Sequence, residues 1–297
     1  MRINILGSSG FIGKHLLNAF VESKGISLRF NNWKDEALDS DVIINLVGKA
    51  HDHKGSASEN DYNYVNVELT KEIFTTFIQS NAKILIHISS LAALEEFESD
   101  RPLTEDVICN PQSWYGKSKH NAEKWLLNQE IHNNKKLIII RPPMVHGPGD
   151  KGNLGLLFKF VQKGIPYPLS KFNNNRSFIF IDNFVFYIKR IIQGIDKLES
   201  GIYHVSDIES ISTNQIINQI ESVLKKKTIK LGLPTFIIKG IAKIGDYLPI
   251  PLNTNKLKKL TSNLLVSNSK INKALDIQKL PYSAIDGLKI TLDSFSK

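Results

Sequence analysis

The sequence contains one cysteine among its 297 residues, Cys109. A single thiol cannot form a disulfide within the chain, which excludes the small disulfide-stapled scaffolds and favours a reducing, cytoplasmic location. Cys109 stands in an Ile-Cys-Asn-Pro stretch with no evident partner. We therefore interpret it as a structural thiol and not as a nucleophile.

Long apolar runs and metal-ligand patterns are also lacking. No segment approaches the roughly 18 consecutive apolar residues of a membrane-spanning helix, so no span is predicted. The histidines do not follow metal-ligand spacing, and no metal site is predicted. His51 and His146 stand alone and are expected to be solvated or bonded to the backbone.

Acidic residues are fewer than basic ones, 29 against 38, which gives a net charge of +9. The surplus concentrates in the last third of the chain, around 225–227 and 256–259. A solvated lysine-rich face is the main interpretation, while attraction of an anionic substrate or peripheral contact with an anionic membrane stays open. Aromatic residues do not alternate with the basic ones as single-stranded nucleic acid requires, so no nucleic-acid partner is expected.

A glycine-rich turn near the start of the chain is the most informative feature that is present. Gly7, Gly10 and Gly13 lie between an apolar strand predicted over 2–6 and a helix predicted over 12–21. The first glycine suits a tight turn, the second lets a pyrophosphate approach the backbone, and the third lets the helix pack on the strand. The helix N-terminus would face the phosphates. The predicted dinucleotide site also includes Ser9, Phe11 and Ile12.

Strand-like and helix-like segments alternate along the chain, which predicts an α/β fold. Strands are predicted at 26–30, 42–47, 83–89, 137–140, 177–181 and 202–205, and helices at 61–80, 114–129, 183–192, 213–224 and 234–247. We expect a Rossmann-type doubly wound parallel sheet in residues 1–150, with 177–205 contributing elements. Residues 151–297 would form a smaller α/β C-terminal substrate lobe.

Tyr115 and Lys119 are four residues apart on a predicted helix, so their side chains share one face. An ammonium group near a phenol favours the phenolate and brings its pKa toward neutral pH. Ser89 and Ser90 end a buried strand, where open α/β sheets bind ligands. A serine hydroxyl there could bind a substrate carbonyl oxygen.

The sequence resembles the extended short-chain dehydrogenase/reductases of the NAD-dependent epimerase/dehydratase family, over essentially its whole length. The resemblance rests on Gly-Ser-Ser-Gly-Phe-Ile-Gly (7–13), Asn-Leu-Val-Gly (45–48), His-Ile-Ser-Ser (87–90), Tyr-Gly-Lys-Ser-Lys (115–119), Arg-Pro-Pro-Met-Val-His-Gly-Pro-Gly (141–149) and Arg-Ser-Phe-Ile-Phe-Ile-Asp-Asn (176–183). It implies that Tyr115 exchanges a proton with the sugar, that Lys119 holds the nicotinamide ribose, and that Ser90 is the third catalytic residue.

The resemblance also implies cofactor and substrate contacts. The cofactor contacts would include Leu46, Val47, Gly48, Ser89, Tyr115, Lys119, Pro142 and Val145. The substrate contacts would include Ser90, Asn153, Leu169 and Arg176, with the arginine on the nucleotide diphosphate, whose oxygens its planar fork matches.

Two departures from the family pattern restrict the function. Family dehydratases have an Asp-Glu pair after the catalytic hydroxyl residue, whereas this chain has Leu91 and Ala92, so dehydration is not expected. The end of the second predicted strand carries Arg29 and no acidic residue. An acidic residue there would bind the ribose of NAD, whereas an arginine could bind the 2′-phosphate of NADP. NAD or NADP is therefore expected, with NADP favoured, and a family helix between positions 30 and 42 should be trimmed or missing.

The resemblance points to an oxidoreductase that reduces the C4 ketone of a UDP-4-keto-6-deoxy-N-acetylhexosamine for surface polysaccharide synthesis. A UDP-hexose or UDP-N-acetylhexosamine 4-epimerase with tightly bound NAD is the alternative. A non-catalytic cofactor-binding scaffold is a third possibility, against which the retained Ser90, Tyr115 and Lys119 argue. Family members often form homodimers through two helices, here 61–80 and 114–129.

Overall fold

The computed structural model describes residues 1–50, 56–131, 134–150, 152–248 and 253–296. Its main sheet has six parallel strands. They are β1 (Ile3–Leu6), β2 (Lys24–Ile26), β3 (Val42–Asn45), β4 (Ile84–Ile88), β5 (Lys136–Arg141) and β8 (Gly201–His204). Their order across the sheet is β2-β1-β3-β4-β5-β8. The predicted Rossmann-type parallel sheet is confirmed.

Helices cover both faces of this sheet. Among the described residues up to β5, the α-helices are α1 (Phe11–Ala19), α2 (Trp33–Leu38), α3 (Glu59–Asn63), α4 (Leu69–Gln79) and α5 (Trp114–Leu127), with a π-helical turn at Tyr64–Glu68 joining α3 to α4. Alternate strand residues belong to different cores: Ile44 lies in the cluster that contains Leu16 of α1, and Ile43 in the cluster that contains Phe77 of α4. Burial on both faces explains why these strands are continuous apolar runs.

The second half of the chain contributes to both parts of the molecule. Its elements are β6 (Met144–His146), α6 (Asn153–Gln162), β7 (Phe178–Phe180), α7 (Ile181–Gln193), α8 (Thr213–Leu224), α9 (Thr235–Ile244), α10 (Thr254–Thr261), α11 (Ser269–Ala274) and α12 (Ala284–Phe295). β6 and β7 form a separate parallel pair. Helix α7 packs against α1, and β8 pairs with β5, so the chain returns to the main sheet. A boundary at residue 150 stays a prediction.

The region after β1 differs from the prediction. A second strand is predicted over 26–30, but β2 is Lys24–Ile26 and residues 28–32 form turns before the six-residue helix α2. In the doubly wound order 3-2-1-4-5-6 a further strand lies outside the second one. Here β2 is the edge strand, because only the short helix α2 connects it to β3. The expected shortening between positions 30 and 42 is thus present.

The sequence predicts no membrane-spanning helix. Among the described residues, no helix is long and apolar enough to cross a membrane.

Candidate active site

The strand ends bring the predicted site residues to one edge of the sheet. Leu6, Asn45, His87 and Ile139 pair in register across β1, β3, β4 and β5. The residues that follow these positions therefore emerge side by side at the carboxyl edge, where open α/β sheets bind ligands.

The glycine-rich turn has the geometry predicted from its sequence. Gly7 directly follows the end of β1 and has a φ of +82°, a backbone conformation that favours glycine. A Cβ on Gly13 would lie 2.5 Å from the Cα of Ser8, so this glycine lets α1 pack on the turn. A Cβ on Gly10 would meet only the Gly7 carbonyl oxygen, at 3.4 Å, and the face above it is open. Gly10 is also the N-cap of α1 and provides no side-chain cap, so the first amides of the helix can bind an anion.

Ser90 and Tyr115 are brought together at the end of β4. Ser90 begins the short 3-10 turn Leu91–Ala93, and its Oγ accepts a hydrogen bond from the Ala92 amide at 3.2 Å. Tyr115 lies in the first turn of α5 and is half-buried, and the nearby Ser90 hydroxyl lowers its pKa. A phenol and a hydroxyl that lie close together can both bind one substrate oxygen.

The pKa of Tyr115 is raised in the structure, whereas the sequence predicts that Lys119 lowers it. Burial is the largest influence and raises the pKa of Tyr115, while the nearby Ser90 hydroxyl lowers it in part. Glu96 and Glu123 raise the Tyr115 pKa further. The expectation that Lys119 lowers the Tyr115 pKa toward neutrality is therefore wrong for the protein alone. The Lys119 ammonium is bonded to the carbonyl oxygen of Ile88 at 2.9 Å, so its position is fixed by the strand end.

Lys119 lies buried between two strand ends. Its Nζ is within 3.1 Å of the position that a Cβ on Gly48 would occupy, so the lysine borders the loop after β3. Burial lowers the pKa of Lys119 to about 8, and Glu123 opposes this shift. The amine therefore sits where the β3 and β4 ends meet, beside the predicted nicotinamide ribose position.

Asn66 is a site residue that sequence reasoning missed. It lies in the π-helical turn Tyr64–Glu68, and such turns are frequent at functional sites. Its side-chain amide bonds both backbone groups of Lys49, at 2.8 and 3.1 Å, and donates to the Ser118 Oγ at 2.8 Å. Asn66 thereby joins the loop after β3 to the helix that carries Tyr115. Periodicity could not reveal it, because a polar residue inside a helical pattern gives no signal of such bonds.

A second missed group is the buried ion pair of Glu123 and Arg141. The Arg141 guanidinium donates to both carboxylate oxygens, at 2.9 and 2.6 Å, and Ser89 Oγ donates to the same carboxylate. Both charged side chains are almost fully buried. Arg141 also donates to the Cys109 Sγ at 3.3 Å, and burial raises the pKa of that thiol, consistent with a structural cysteine. The network fixes Ser89, and with it the strand end that carries Ser90.

The N-terminus of α5 is anchored to the loop after Ser90. Glu96 accepts hydrogen bonds from the amides of Gln112 and Ser113, at 3.0 and 2.7 Å. A Cβ on Gly116 would lie 2.5 Å from the Ala92 carbonyl oxygen and from the Glu96 Oε1. The neighbour of Tyr115 is thus a glycine because the backbones approach closely there.

The remaining predicted cofactor residues lie around this edge. Leu46, Val47 and Gly48 follow β3, and a Cβ on Gly7 would lie 3.0 Å from the Val47 nitrogen, so the glycine turn borders this loop. Pro142 is buried and accepts a hydrogen bond from the Leu91 amide, and Val145 is half-buried on β6.

The other predicted contacts lie in different surroundings. Arg29 is exposed, three residues beyond the end of β2. Asn153 is exposed at the first position of α6, whereas Leu169 is buried in the apolar cluster of the C-terminal half. Arg176 donates to the carbonyl oxygens of Phe97 and Ser262, both at 3.2 Å, and burial lowers its pKa to about 10. Of these four residues, Arg176 is bonded directly to the loop that follows Ser90.

His146 does not extend the site. His146 is buried against Thr291, at 2.9 Å, and burial lowers its pKa to about 4, as for a neutral core histidine. His51 lies outside the described residues. Within the described ranges, no group of three or more His, Cys, Asp or Glu side chains could hold a metal ion.

Comparisons with known proteins find a matching family, similar sequences and a similar fold. The model of the family described as "NAD dependent epimerase/dehydratase family" matches residues 3–206. A UDP-glucose 4-epimerase of Vibrio cholerae is 28% identical over 99% of this chain and 95% of its own length. An N-acetyl-alpha-D-glucosaminyl-diphospho-ditrans,octacis-undecaprenol 4-epimerase of Escherichia coli O157:H7 is 27% identical over 77% of this chain and 74% of its own. The crystal structure of a UDP-glucuronic acid 4-epimerase from Bacillus cereus in complex with NAD has a similar fold, with a TM-score of 0.77 and 18% identity over 100% and 99% of the two chains.

Proposed function

The chain belongs to the NAD dependent epimerase/dehydratase family, and from that premise we propose that it reduces the C4 ketone of a UDP-4-keto-6-deoxy-N-acetylhexosamine. It is an NAD(P)-dependent enzyme of the nucleotide-sugar epimerase and reductase type. The observation that carries the proposal is the convergence of Ser90, Tyr115 and Lys119 beside the glycine-rich turn. Surface polysaccharide synthesis would consume the reduced sugar.

The residues around the turn fit a dinucleotide. Backbone donors are free for a pyrophosphate, because the face above Gly10 is open and no side chain caps the first amides of α1. The close packing at Gly13 holds the helix against the turn. Gly48 and Lys119 adjoin at the next strand end, where a ribose and nicotinamide would follow. When bound, the reduced cofactor supplies a hydride.

The side chains supply the proton and the positioning. Tyr115, whose pKa is raised by burial, is protonated at neutral pH and can donate its phenolic proton to the C4 oxygen as the ketone is reduced. Ser90 donates a second hydrogen bond to the same oxygen and stabilises the charge that develops there. Lys119, held at the Ile88 carbonyl, would orient the ribose.

The surroundings of β2 support a reductase that uses NADP. The residues that follow β2, Ser27 to Asn32, include no carboxylate for a ribose 2′-hydroxyl, and Arg29 among them is exposed and able to meet a 2′-phosphate. A reductase consumes one reduced cofactor per turnover and must exchange it. An accessible cofactor site with an arginine at its rim suits that requirement.

The experiment mixes the purified protein with UDP-4-keto-6-deoxy-N-acetylglucosamine and follows the near-ultraviolet absorbance of NADPH or NADH. We expect one NADPH to be consumed per ketone reduced. The rate of consumption should fall about a thousandfold in Tyr115→Phe, which lacks the proton donor. The control variant is Tyr64→Phe, which removes the hydroxyl of an exposed tyrosine near the site. Consumption that persists in Tyr115→Phe would contradict the assigned proton donor.

Arg29→Ala tests the cofactor assignment. Because the guanidinium would bond only the 2′-phosphate, KM should rise about tenfold for NADPH and stay unchanged for NADH. Arg101→Ala, which removes an exposed arginine elsewhere, is the control. Equal effects on both cofactors would contradict the NADP assignment.

A 4-epimerase of a UDP-hexose or UDP-N-acetylhexosamine is the second candidate, favoured by the activities named for the two similar proteins. It would use the same three side chains and retain NAD. Release of NAD on denaturation, conversion of UDP-glucose or UDP-N-acetylglucosamine, and no consumption of NADPH would select it.

The assembly and location are part of the proposal. Helices α4 and α5 pack against each other on one face of the sheet, and we expect a homodimer through them, in the cytoplasm. Sedimentation velocity of the purified protein tests the dimer.

A further inference from the structure

Helix α9 exposes an unusual number of large apolar side chains for a helix on a protein surface. Ile238 and Ala242 attach it to the core of the C-terminal half, where both are buried. Most of its other apolar residues face outward. The exposed set is Phe236 (74% exposed), Ile237, Ile241 and Ile244, followed in the turn after the helix by Tyr247 (89%) and Leu248.

The exposed residues form one continuous face. With about 100° between successive residues of a helix, Phe236, Ile237, Ile241 and Ile244 fall within one arc opposite the buried residues. Lys239 and Lys243, both exposed, lie on the flank of that arc. A helix with an apolar face bordered by lysines has the pattern of helices that lie in the plane of a membrane interface.

The stretch of sequence around α9 is mostly basic. Residues 225–261 contain nine lysines, and Asp246 is the one acidic residue in that stretch of the sequence. The Asp246 carboxylate accepts hydrogen bonds from the Thr254 amide and hydroxyl, at 2.9 and 2.6 Å, and so is engaged within the protein. This apolar face is therefore complementary to a surface that is both apolar and negatively charged.

We infer that α9 and the turn after it, residues 235–248, dock into the headgroup region of an anionic phospholipid membrane. The apolar side chains enter the interface, and the flanking Lys239 and Lys243 contact the lipid phosphates. A second copy of this chain is a poorer occupant, because a symmetric contact would place two lysine-rich surfaces against each other.

Helix α10 connects α9 to the loop that follows Ser90. Helix α10 packs against α9, and its Lys258 contacts Glu98 at 2.9 Å while Lys259 lies over the Phe97 ring. Glu98 and Phe97 belong to the loop that follows Ser90, and Arg176 bonds the Phe97 carbonyl. Docking through α9 would bring the loop that follows Ser90 toward the membrane.

Cosedimentation of the full chain with lipid vesicles tests the inference without using enzymatic activity. The protein should bind vesicles of phosphatidylcholine with phosphatidylglycerol at least about tenfold more strongly than vesicles of phosphatidylcholine alone, and added salt should weaken binding. The double variant Phe236→Ser/Ile244→Ser removes apolar side chains, and Lys239→Glu/Lys243→Glu reverses the flanking charge. Both should reduce binding by about tenfold or more.

Matched variants on other surfaces are the controls. Val21→Ser removes an exposed apolar residue and Lys83→Glu reverses an exposed lysine, and both should bind as the wild type does. All the substituted side chains are exposed, so circular dichroism should show unchanged folding. Absence of wild-type binding would overturn the inference, as would equal losses in Lys83→Glu and Lys239→Glu/Lys243→Glu. A dimer in solution that Phe236→Ser/Ile244→Ser dissociates would assign the face to a second copy and would also overturn it.

Discussion

At the scale of single residues, the candidate site depends on charged groups that the fold buries at a cost. Lys119 is the clearest case, since burial lowers its pKa from 10.5 to about 8. Below that pH the ammonium is charged in both the folded and the unfolded chain, and the folded chain carries the desolvation cost. The cost diminishes as the pH rises from about 8 to 10.5, and it is absent well above 10.5, where the amine is neutral in both states.

Lys119→Met should therefore abolish turnover and stabilise the protein near neutral pH. The shift corresponds to about 3 kcal/mol, and the unpaired Ile88 carbonyl would offset about 1 kcal/mol of it, leaving a gain of about 2 kcal/mol. The gain should shrink as the pH rises through the interval above 8. Urea unfolding of wild type and variant at two pH values measures it, and a variant less stable than wild type at neutral pH would contradict the argument.

Glu123→Gln should destabilise the protein by about 3–5 kcal/mol, because it leaves the buried Arg141 guanidinium without its carboxylate. Glu68→Gln is the matched control, since Glu68 pairs with Lys71 on the surface. Removing that exposed pair should change the free energy of unfolding by less than about 1 kcal/mol. Similar losses in both variants, measured by urea unfolding, would show that the Glu123–Arg141 pair contributes no more than a surface pair.

At the scale of elements, prediction succeeded where periodicity and capping agree. The helix predicted over 213–224 is α8, and Ser212 caps it with a capping box to Gln215. The strand β2 was misplaced because the apolar residues after Ile26 belong to turns. The helix α6 is not predicted from the sequence, because Gly152 precedes the apolar segment and Gly155 interrupts it. The glycine turn and Tyr115 could be read from sequence, whereas Asn66 and Glu123 required contacts between distant segments.

Gly116→Ala tests how closely α5 must approach the loop after Ser90. Because the added Cβ would lie 2.5 Å from the Ala92 carbonyl oxygen, the helix start should shift and displace Tyr115. We expect kcat to fall by about a hundredfold, as small displacements of catalytic groups do, with little change in cofactor affinity. Gly155→Ala is the control within α6, where a Cβ would meet only Phe295 at 4.0 Å. Unchanged kcat in Gly116→Ala would contradict the assigned role of the close approach.

At the scale of the whole molecule, the two halves are interleaved. Residues 271–280 pack in the same core as the strands of the main sheet. Val266 pairs with Leu103 in the loop after β4, and β8 pairs with β5. Segments far apart in sequence thus share cores, and neither half has all of its contacts alone.

This interleaving predicts that the chain unfolds in a single cooperative transition. Its three tryptophans, Trp33, Trp114 and Trp125, all precede residue 150, whereas far-ultraviolet circular dichroism also reports helices α6 to α12. If the halves unfold together, urea midpoints from tryptophan fluorescence and from circular dichroism should coincide. NADPH, which would bind only at the glycine-rich edge, should raise both midpoints equally by mass action. If NADPH raised the fluorescence midpoint and left the circular-dichroism midpoint unchanged, the C-terminal lobe would fold independently. The stabilisation by NADPH would then be confined to the half that contains the tryptophans.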